Sequence, residues 1–444
     1  MKGREGALRV LYEIQVKKAY SNIALNQELK QQEYASNERG FMTELVYGVL
    51  ENQIYLDYVI GQFSSTKLKK IHPMTLNILR MGLYQLLFLD KVPPSAAVNE
   101  AVNLAKKYAK ASSGFVNGIL RSVQRSGGDI PLPDPQKDLT DYLSVKYSHP
   151  QWMVEALLKH LTPAFTAALL EANNETPPFN VRVNTLKTTV AQCIASLEEM
   201  GIQVEQSPHL PEALTLKGIP QLQQIPLLKK GLIYIQDMGS MLISRVLDPQ
   251  PGELVLDLCS APGGKTTHLA QLMENRGRII ARDIHPHKVK LIAANAKAQG
   301  ASVIEPQVFD ATQLDHSLVG QGDRVLIDAP CSGLGIIRRK PEIKYRKTLE
   351  DLGELNQLQL RILEQGAKYL KPGGTLVYST CTIEPMENQG VVEVFLKSNP
   401  DFKLEDLGSA YPHLIPGEGH GAMIQLYPSI HGTDGFFMAK LKRV

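Results

Sequence analysis

Two of the four cysteines in this 444-residue chain sit in similar settings. Cys331 lies in Asp-Ala-Pro-Cys-Ser-Gly (328–333), and Cys381 follows 50 residues on, in Tyr-Ser-Thr-Cys-Thr (378–382). A thiolate is a strong nucleophile at neutral pH, and an aspartate nearby can hold or pass a proton. Pro330 fixes φ and removes a donor, so the turn before Cys331 is stiff enough to aim one side chain. Attack on an electron-poor pyrimidine needs this set. C5 of cytosine or uracil does not attack a methyl sulfonium until a thiolate adds to C6 and converts the ring to an enamine. A base then removes the C5 proton and the thiolate leaves. The chemistry asks for one nucleophilic cysteine, one acid near N3 and one base. Spacing leaves Cys331 and Cys381 tied for the first role, while Cys259 and Cys193 read as packing residues.

A second group of residues points to a cofactor. Asp257, Asp283, Asp310 and Asp328 each close an apolar run. One such aspartate is an ordinary helix N-cap, but four in succession form an acidic rim. Asp257 is followed by Cys259-Ser260-Ala261-Pro262-Gly263-Gly264-Lys265, where the glycines let backbone approach a ligand closely. A Walker loop would need glycine at position 259, and no G-x-G-x-x-G is present. Asp283 stands 18 residues past Lys265, near the spacing of about 20 for an acid on ribose hydroxyls. A nucleoside cofactor without an essential pyrophosphate fits, and S-adenosylmethionine, whose sulfonium an acidic rim attracts, is the common one. ATP would be repelled.

These residues must be carried by strands and helices. From about residue 236, strands at 253–258, 277–283, 302–310, 323–329 and 374–381 alternate with helical stretches, which predicts a parallel, doubly wound Rossmann-like sheet with ligands at the strands' C-terminal ends. Residues 236–444 therefore read as the catalytic domain. Residues 1–125 read as all helix, with Pro73 in a first helical turn and Ser95 as an N-cap. A Gly/Pro/Asp-rich linker covers 126–139, and 140–235 reads as a small α+β domain of the RRM or ferredoxin-like kind.

Composition sets the outer limits. Apolar residues make up 43% and charged residues 21% of the chain, as in ordinary globular proteins. The cysteines form no CxxC pair, which argues against zinc and for a reducing compartment. No apolar signal core or membrane-length run is present. The expectation is a cytoplasmic monomer that binds neither membrane, DNA nor metal. The net charge of +3 hides a basic N-terminal third, with 17 Lys and Arg against 10 Asp and Glu in residues 1–125, which suits a polyanionic partner. Ile-Arg-Arg-Lys-Pro-Glu-Ile-Lys-Tyr-Arg-Lys (337–347), six basic residues directly after the Cys331 loop, is expected to grip RNA phosphates. Lys67–Lys70 and Lys106–Lys110 are weaker versions of the same idea. Two other classes compete: an RNA-binding assembly factor without activity, against which the cysteine pair and four aspartates argue, and an ATPase, which the missing Walker glycine disfavours.

Taken together, DLCSAPGGKT, DAPCSG, KPGGTLVYSTCT with EPMENQ, and HGTDGFFMAKLKR resemble the RNA (cytosine-5)-methyltransferase family related to the nucleolar protein Nop2/Sun, and residues 95–121 resemble the end of a NusB-like RNA-binding domain. The resemblance implies a class I S-adenosylmethionine-dependent methyltransferase domain acting on C5 of a cytosine in 16S ribosomal RNA, with S-adenosylhomocysteine as product. It implies that Cys381, of the Thr-Cys pair, is the nucleophile, that Cys331 assists product release, and that Asp328 binds the base. It also implies that Cys259, Ser260, Ala261, Pro262, Gly263, Gly264, Lys265, Asp283, Asp310 and Asp328 contact the cofactor or line its pocket. Ser260, where many relatives carry alanine, is a mild departure.

Overall fold

In the computed structural model, residues 2–219, 224–414 and 421–444 are described. The chain divides into two units: 1–176 with 337–346, and 177–336 with 347–444. The first is helical. Its described helices are α1 (Lys2–Val16), α2 (Ser21–Gln31), α3 (Ser36–Glu51), α4 (Gln53–Phe63), α5 (Pro73–Phe88), α6 (Pro94–Tyr108), α7 (Ser113–Arg125), α8 (Leu139–Tyr147), α9 (Gln151–Leu158) and α10 (Pro163–Ala172). Apolar residues at helical spacing, such as Leu8, Leu11, Leu45, Val49, Ile78 and Leu120, meet in one buried core. Pro73 opens α5 as expected, with His72 accepting from the Met74 N–H. Ser95 does not cap α6: Pro94 is already helical, so Ser95 falls inside the first turn. Helix α8, beyond the linker, packs on α4.

The segment 337–346 belongs to this helical unit, and part of the charge expected to grip RNA phosphates is buried in it. Lys344 is fully buried, and its Nζ donates to the Glu51 carbonyl and to Asn174 Oδ1, both at 2.9 Å. Tyr345 OH donates to the Leu50 carbonyl at 2.7 Å, Arg346 donates to the Ile14 carbonyl at 3.2 Å, and Glu342 accepts from the Ser21 N–H at 2.9 Å. Arg338 is buried too. Burial pulls the Lys344 ammonium down to about 7 despite Glu51 nearby. Lys344 and Arg346 are thus spent on interior acceptors, whereas Arg339, Lys340 and Lys347 are half-exposed.

The second unit contains both sheets. β1 (Phe179–Val183), β2 (Gln203–Gln206), β3 (Ala213–Lys217) and β4 (Ile233–Ile235) form an antiparallel sheet in the order β2-β3-β1-β4 among the described residues, covered by α11 (Val190–Glu198). A capping box between Thr189 and Gln192 starts α11. After α12 (Pro226–Lys229) and α13 (Met238–Leu247) come β5 (Leu254–Asp257), α14 (Gly264–Leu272), β6 (Arg278–Asp283), α15 (Pro286–Gln299), β7 (Ile304–Val308), β8 (Gly322–Asp328), α16 (Leu349–Lys368), β9 (Leu370–Thr380), α17 (Gln389–Ser398), β10 (Phe402–Leu404), β11 (Met423–Gln425), α18 (Pro428–His431) and β12 (Phe437–Arg443). The order is β10-β12-β9-β8-β5-β6-β7, with β11 on β12. β5 to β9 pair in parallel, as expected. β10, β11 and β12 run antiparallel, so the sheet is mixed rather than wholly parallel. Alternate residues feed two cores: Val255, Ile279, Leu326 and Val377 on one face, Leu256, Ile280, Ile327 and Tyr378 on the other.

Candidate active site

β8 and β9 are parallel neighbours, with Asp328 opposite Ser379. Cys331 and Cys381 therefore leave the sheet from the same rim, and their sulfurs lie 3.3 Å apart. The hydrogen bond to Cys381 and then burial hold the Cys331 thiol well above its usual pKa, and either sulfur can be the donor in the contact. Beside the pair, Lys265 Nζ lies 2.7 Å from Asp328 Oδ2, and Ser379 Oγ donates to Asp328 Oδ1 at 2.9 Å. Burial opposes the charge on Lys265, but Asp328 outweighs it by charge and hydrogen bond and holds the ammonium above its ordinary value. Phe436 covers this ammonium at 5.1 Å.

The acidic rim is assembled as the strand order requires. Asp257, Asp283 and Asp328 end β5, β6 and β8, and Asp310 follows β7. Asp257 is fully buried and accepts from Thr266 Oγ1 at 2.7 Å. Burial, reinforced by Asp328, pushes its carboxyl up to about 7, and Oδ1 has no partner. Asp283 Oδ1 accepts from the His285 N–H at 2.9 Å, with Lys288 3.8 Å from Oδ2. Asp310 accepts from the N–H and hydroxyl of Thr312 at 2.9 and 2.7 Å.

The glycine-rich loop is fixed at both ends. The Ser260 N–H and hydroxyl both donate to the Arg282 carbonyl, at 2.8 and 2.9 Å, and the Pro262 carbonyl accepts from Asn295. Gly263 takes φ 102° at the start of α14, a conformation open to glycine. Ala261 lines the loop half-exposed. Cys259 is half-buried against apolar side chains, and burial pushes its thiol far up, as suits packing rather than reactivity. Strand-end carboxylates, a tied glycine loop and an unpaired buried Asp257 oxygen fit a nucleoside cofactor with a cationic centre.

Three further features hold the site together, and the first, Glu387, lies in the EPMENQ stretch. Glu387, fully buried, accepts from the Ser332 N–H at 2.8 Å, from the Ser332 hydroxyl and from Gln359 Nε2 at 2.9 Å, while its carbonyl accepts from Tyr378 OH at 2.7 Å. One carboxylate thus joins the Cys331 loop to α16, and Ser332 Oγ, 2.8 Å from Thr382 Oγ1, extends the link to the Cys381 loop. Gly335 donates to the Cys381 carbonyl at 3.0 Å, and a Cβ there would stand 1.9 Å from the Gly435 carbonyl oxygen. Arg182 of β1, fully buried, donates to the Gly264 carbonyl at 2.7 Å, to Thr267 and Gln299, and to Gln236.

Below the loop, His268 on α14 lies 2.8 Å from Glu212, which also takes a bidentate pair of hydrogen bonds from Arg245. Burial, with the Arg182 charge adding to it, lowers His268 to about 4. The unfolded chain binds a proton near pH 6.5 and the folded chain does not, so stability falls as pH drops from about 6.5 to about 4, by about 3 kcal/mol in total. Urea midpoints of His268→Gln across this range are expected to show a flatter pH slope than the wild type; an unchanged slope would remove His268 as the cause.

Comparison with known proteins matches three parts of the chain. Residues 244–442 match the family described as 16S rRNA methyltransferase RsmB/F, residues 1–125 the NusB family, and residues 149–223 the RsmF/B-like ferredoxin-like domain. The chain is similar to the probable ribosomal RNA small subunit methyltransferase B of Bacillus subtilis, at 39% identity over 99% of this chain and 98% of that protein. It is similar to the ribosomal RNA small subunit methyltransferase B of Salmonella paratyphi B, at 34% identity over 93% and 92%. Among solved structures, that of PH0851 gives a TM-score of 0.83 at 31% identity, covering 99% of this chain and 98% of that one. NSun6 from Pyrococcus horikoshii, solved with SFG, gives 0.60 at 26% identity over 66% and 98%. A methyltransferase family agrees with S-adenosylmethionine as the cofactor that rim and loop call for. No helix among the described residues is long and apolar enough to cross a membrane. With this identity along nearly the whole chain, the protein belongs to the RsmB/F family of 16S rRNA methyltransferases.

Proposed function

We propose that the protein methylates C5 of a cytidine in 16S ribosomal RNA through a covalent bond between Cys381 and C6 of the base. The observation that carries this reading is the pair of sulfurs 3.3 Å apart beside the Lys265–Asp328 ion pair. S-adenosylmethionine, held by the glycine loop with Asp283 and Asp310, supplies the electrophilic methyl group. Asp328 and Lys265 face the polar edge of the base and hold the proton balance there as Cys381 adds. Cys381 adds to C6 as the thiolate, N3 of the base takes up the proton that the thiol gives up, and the C5=C6 electrons move toward C5 as an enamine. Once C5 carries the methyl group, a base takes the C5 proton and the C6–S bond breaks with its electrons returning to sulfur. Cys331, protonated and in hydrogen-bond contact with Cys381, donates to the departing thiolate.

The reading names Cys381 rather than Cys331 as nucleophile because the family resemblance does so; at 3.3 Å the two sulfurs are geometrically equivalent candidates. RNA rather than DNA as the polymer rests on the same resemblance, and a monomer is proposed as the working form. Nucleoside mass spectrometry of 16S ribosomal RNA incubated with the protein and S-adenosylmethionine tests the product. 5-Methylcytidine is the expected result, and a methyl group on ribose or on a ring nitrogen would overturn the reading.

A further inference from the structure

His209 and His413 lie face to face, with ring centroids 3.5 Å apart and planes 9° from parallel. Tyr411 meets His413 edge-on at 6.4 Å. Both imidazoles are exposed, and among the described residues neither ring makes a hydrogen bond. The pair borders a cavity of about 260 Å³ whose other walls are largely apolar, with Leu210, Met238, Leu242 and Leu414 among them. His431 fixes one wall, its Nε2 3.2 Å from the Leu414 carbonyl.

This cavity and the candidate nucleophile share one stretch of backbone. Thr433 lines the cavity. Gly435 donates to the Gly335 carbonyl at 2.7 Å, and Gly335 donates to the Cys381 carbonyl at 3.0 Å. Gly239, which also lines the cavity, donates to Asp237 at 2.8 Å, and the Asp434 N–H reaches the same carboxylate at 3.3 Å.

We propose that the cavity receives one base of the substrate RNA, a neighbour of the methylated cytidine, stacked on the His209–His413 pair. The proposal rests on the reading of the substrate as RNA. A nucleobase offers what these walls match: a flat π surface for the imidazole stack, an apolar body for the leucines, and a polar edge for ring nitrogens that have no partner. A phosphate would not match. Among the described residues no Lys or Arg lines the cavity. Stacking reads no sequence, so the site positions the strand and leaves the choice of base open.

The test is steady-state methylation of a 16S ribosomal RNA fragment containing the modified cytidine. The double variant His209→Ala, His413→Ala is expected to raise KM for RNA about tenfold, equivalent to about 1.4 kcal/mol, with kcat and S-adenosylmethionine affinity within twofold of wild type. His413→Phe, which keeps a stacking surface, is expected to stay near wild type. Abasic substitution at the nucleotide that occupies the cavity, found by placing one on each side of the target in turn, should raise KM for the wild type and leave the double variant unmoved. A double variant with wild-type KM, or one that suffers the full abasic penalty, would overturn the proposal. Failure of the RNA reading itself would show separately, as a wild type that does not methylate the fragment.

Discussion

Cys381→Ala is expected to abolish methyl transfer, by about 10⁴-fold or more, while binding S-adenosylmethionine as the wild type does. The size follows from the chemistry: without a bond to C6, C5 of cytosine stays electron-poor, and orientation alone does not make it attack. Cofactor binding is preserved because Cys381 follows β9, whereas the glycine loop and Asp283 belong to β5, β6 and their ends. The loop around Cys381 also keeps its shape without the thiol. Its carbonyl accepts from Gly335, and Asn388 Nδ2 donates to the Thr382 carbonyl at 3.1 Å. Calorimetric titration with S-adenosylmethionine and a tritium-transfer assay separate the two outcomes. A Cys381→Ala protein with activity within tenfold of wild type would contradict the assignment.

Cys331→Ala is expected to do the reverse. It should form the RNA adduct and release it slowly, so that a protein–RNA species of raised mass survives denaturing electrophoresis in proportion to added S-adenosylmethionine. The cause is the loss of the donor 3.3 Å from the leaving sulfur. Multiple turnover should fall about 10²-fold, the range for removing one positioned proton donor, with the first turnover nearly intact. The variant should remain folded, because the turn itself is held elsewhere: Ser332 is bound to Glu387, and the Pro330 carbonyl accepts from Gln359 at 2.9 Å. A Cys331→Ala protein that turns over at the wild-type rate, with no adduct, would remove Cys331 from the release step.

The parallel strands were legible in the sequence because each is a short apolar run ended by a polar residue, and the aspartates marked the ends that matter. Their convergence on one rim also followed, since a doubly wound sheet sends every strand's C-terminal end the same way. The direction of β12 did not follow, because a final strand can enter an edge from either side and its composition is the same in both. The closeness of Cys331 and Cys381 was only half visible. Both lie past strand ends, but the 3.3 Å contact depends on β8 and β9 being neighbours with Asp328 opposite Ser379, which is a matter of pairing and register. Glu387 gave no signal by itself: a glutamate in a polar loop reads as solvated, and only tertiary packing shows it buried between two loops. The basic segment 337–347 shows the same limit in reverse. Charge density suggested a surface, whereas Lys344 and Arg338 are buried and the hydrogen-bonding capacity of Lys344 and Arg346 is met by backbone carbonyls and Asn174. Arg182 gave no signal either: an arginine in a short strand reads as its polar side, whereas here it is the fully buried support of the glycine loop.

The central claim is that Cys381 is the atom that bonds the base. The most direct measurement is peptide mapping by mass spectrometry of the adduct trapped when Cys331→Ala reacts with substrate RNA and S-adenosylmethionine. The predicted result is a single nucleotide-bearing peptide, with the added mass on Cys381 and a methyl group on the attached cytidine. Added mass on another residue, or an adduct that forms equally well in the double variant Cys331→Ala, Cys381→Ala, would contradict it.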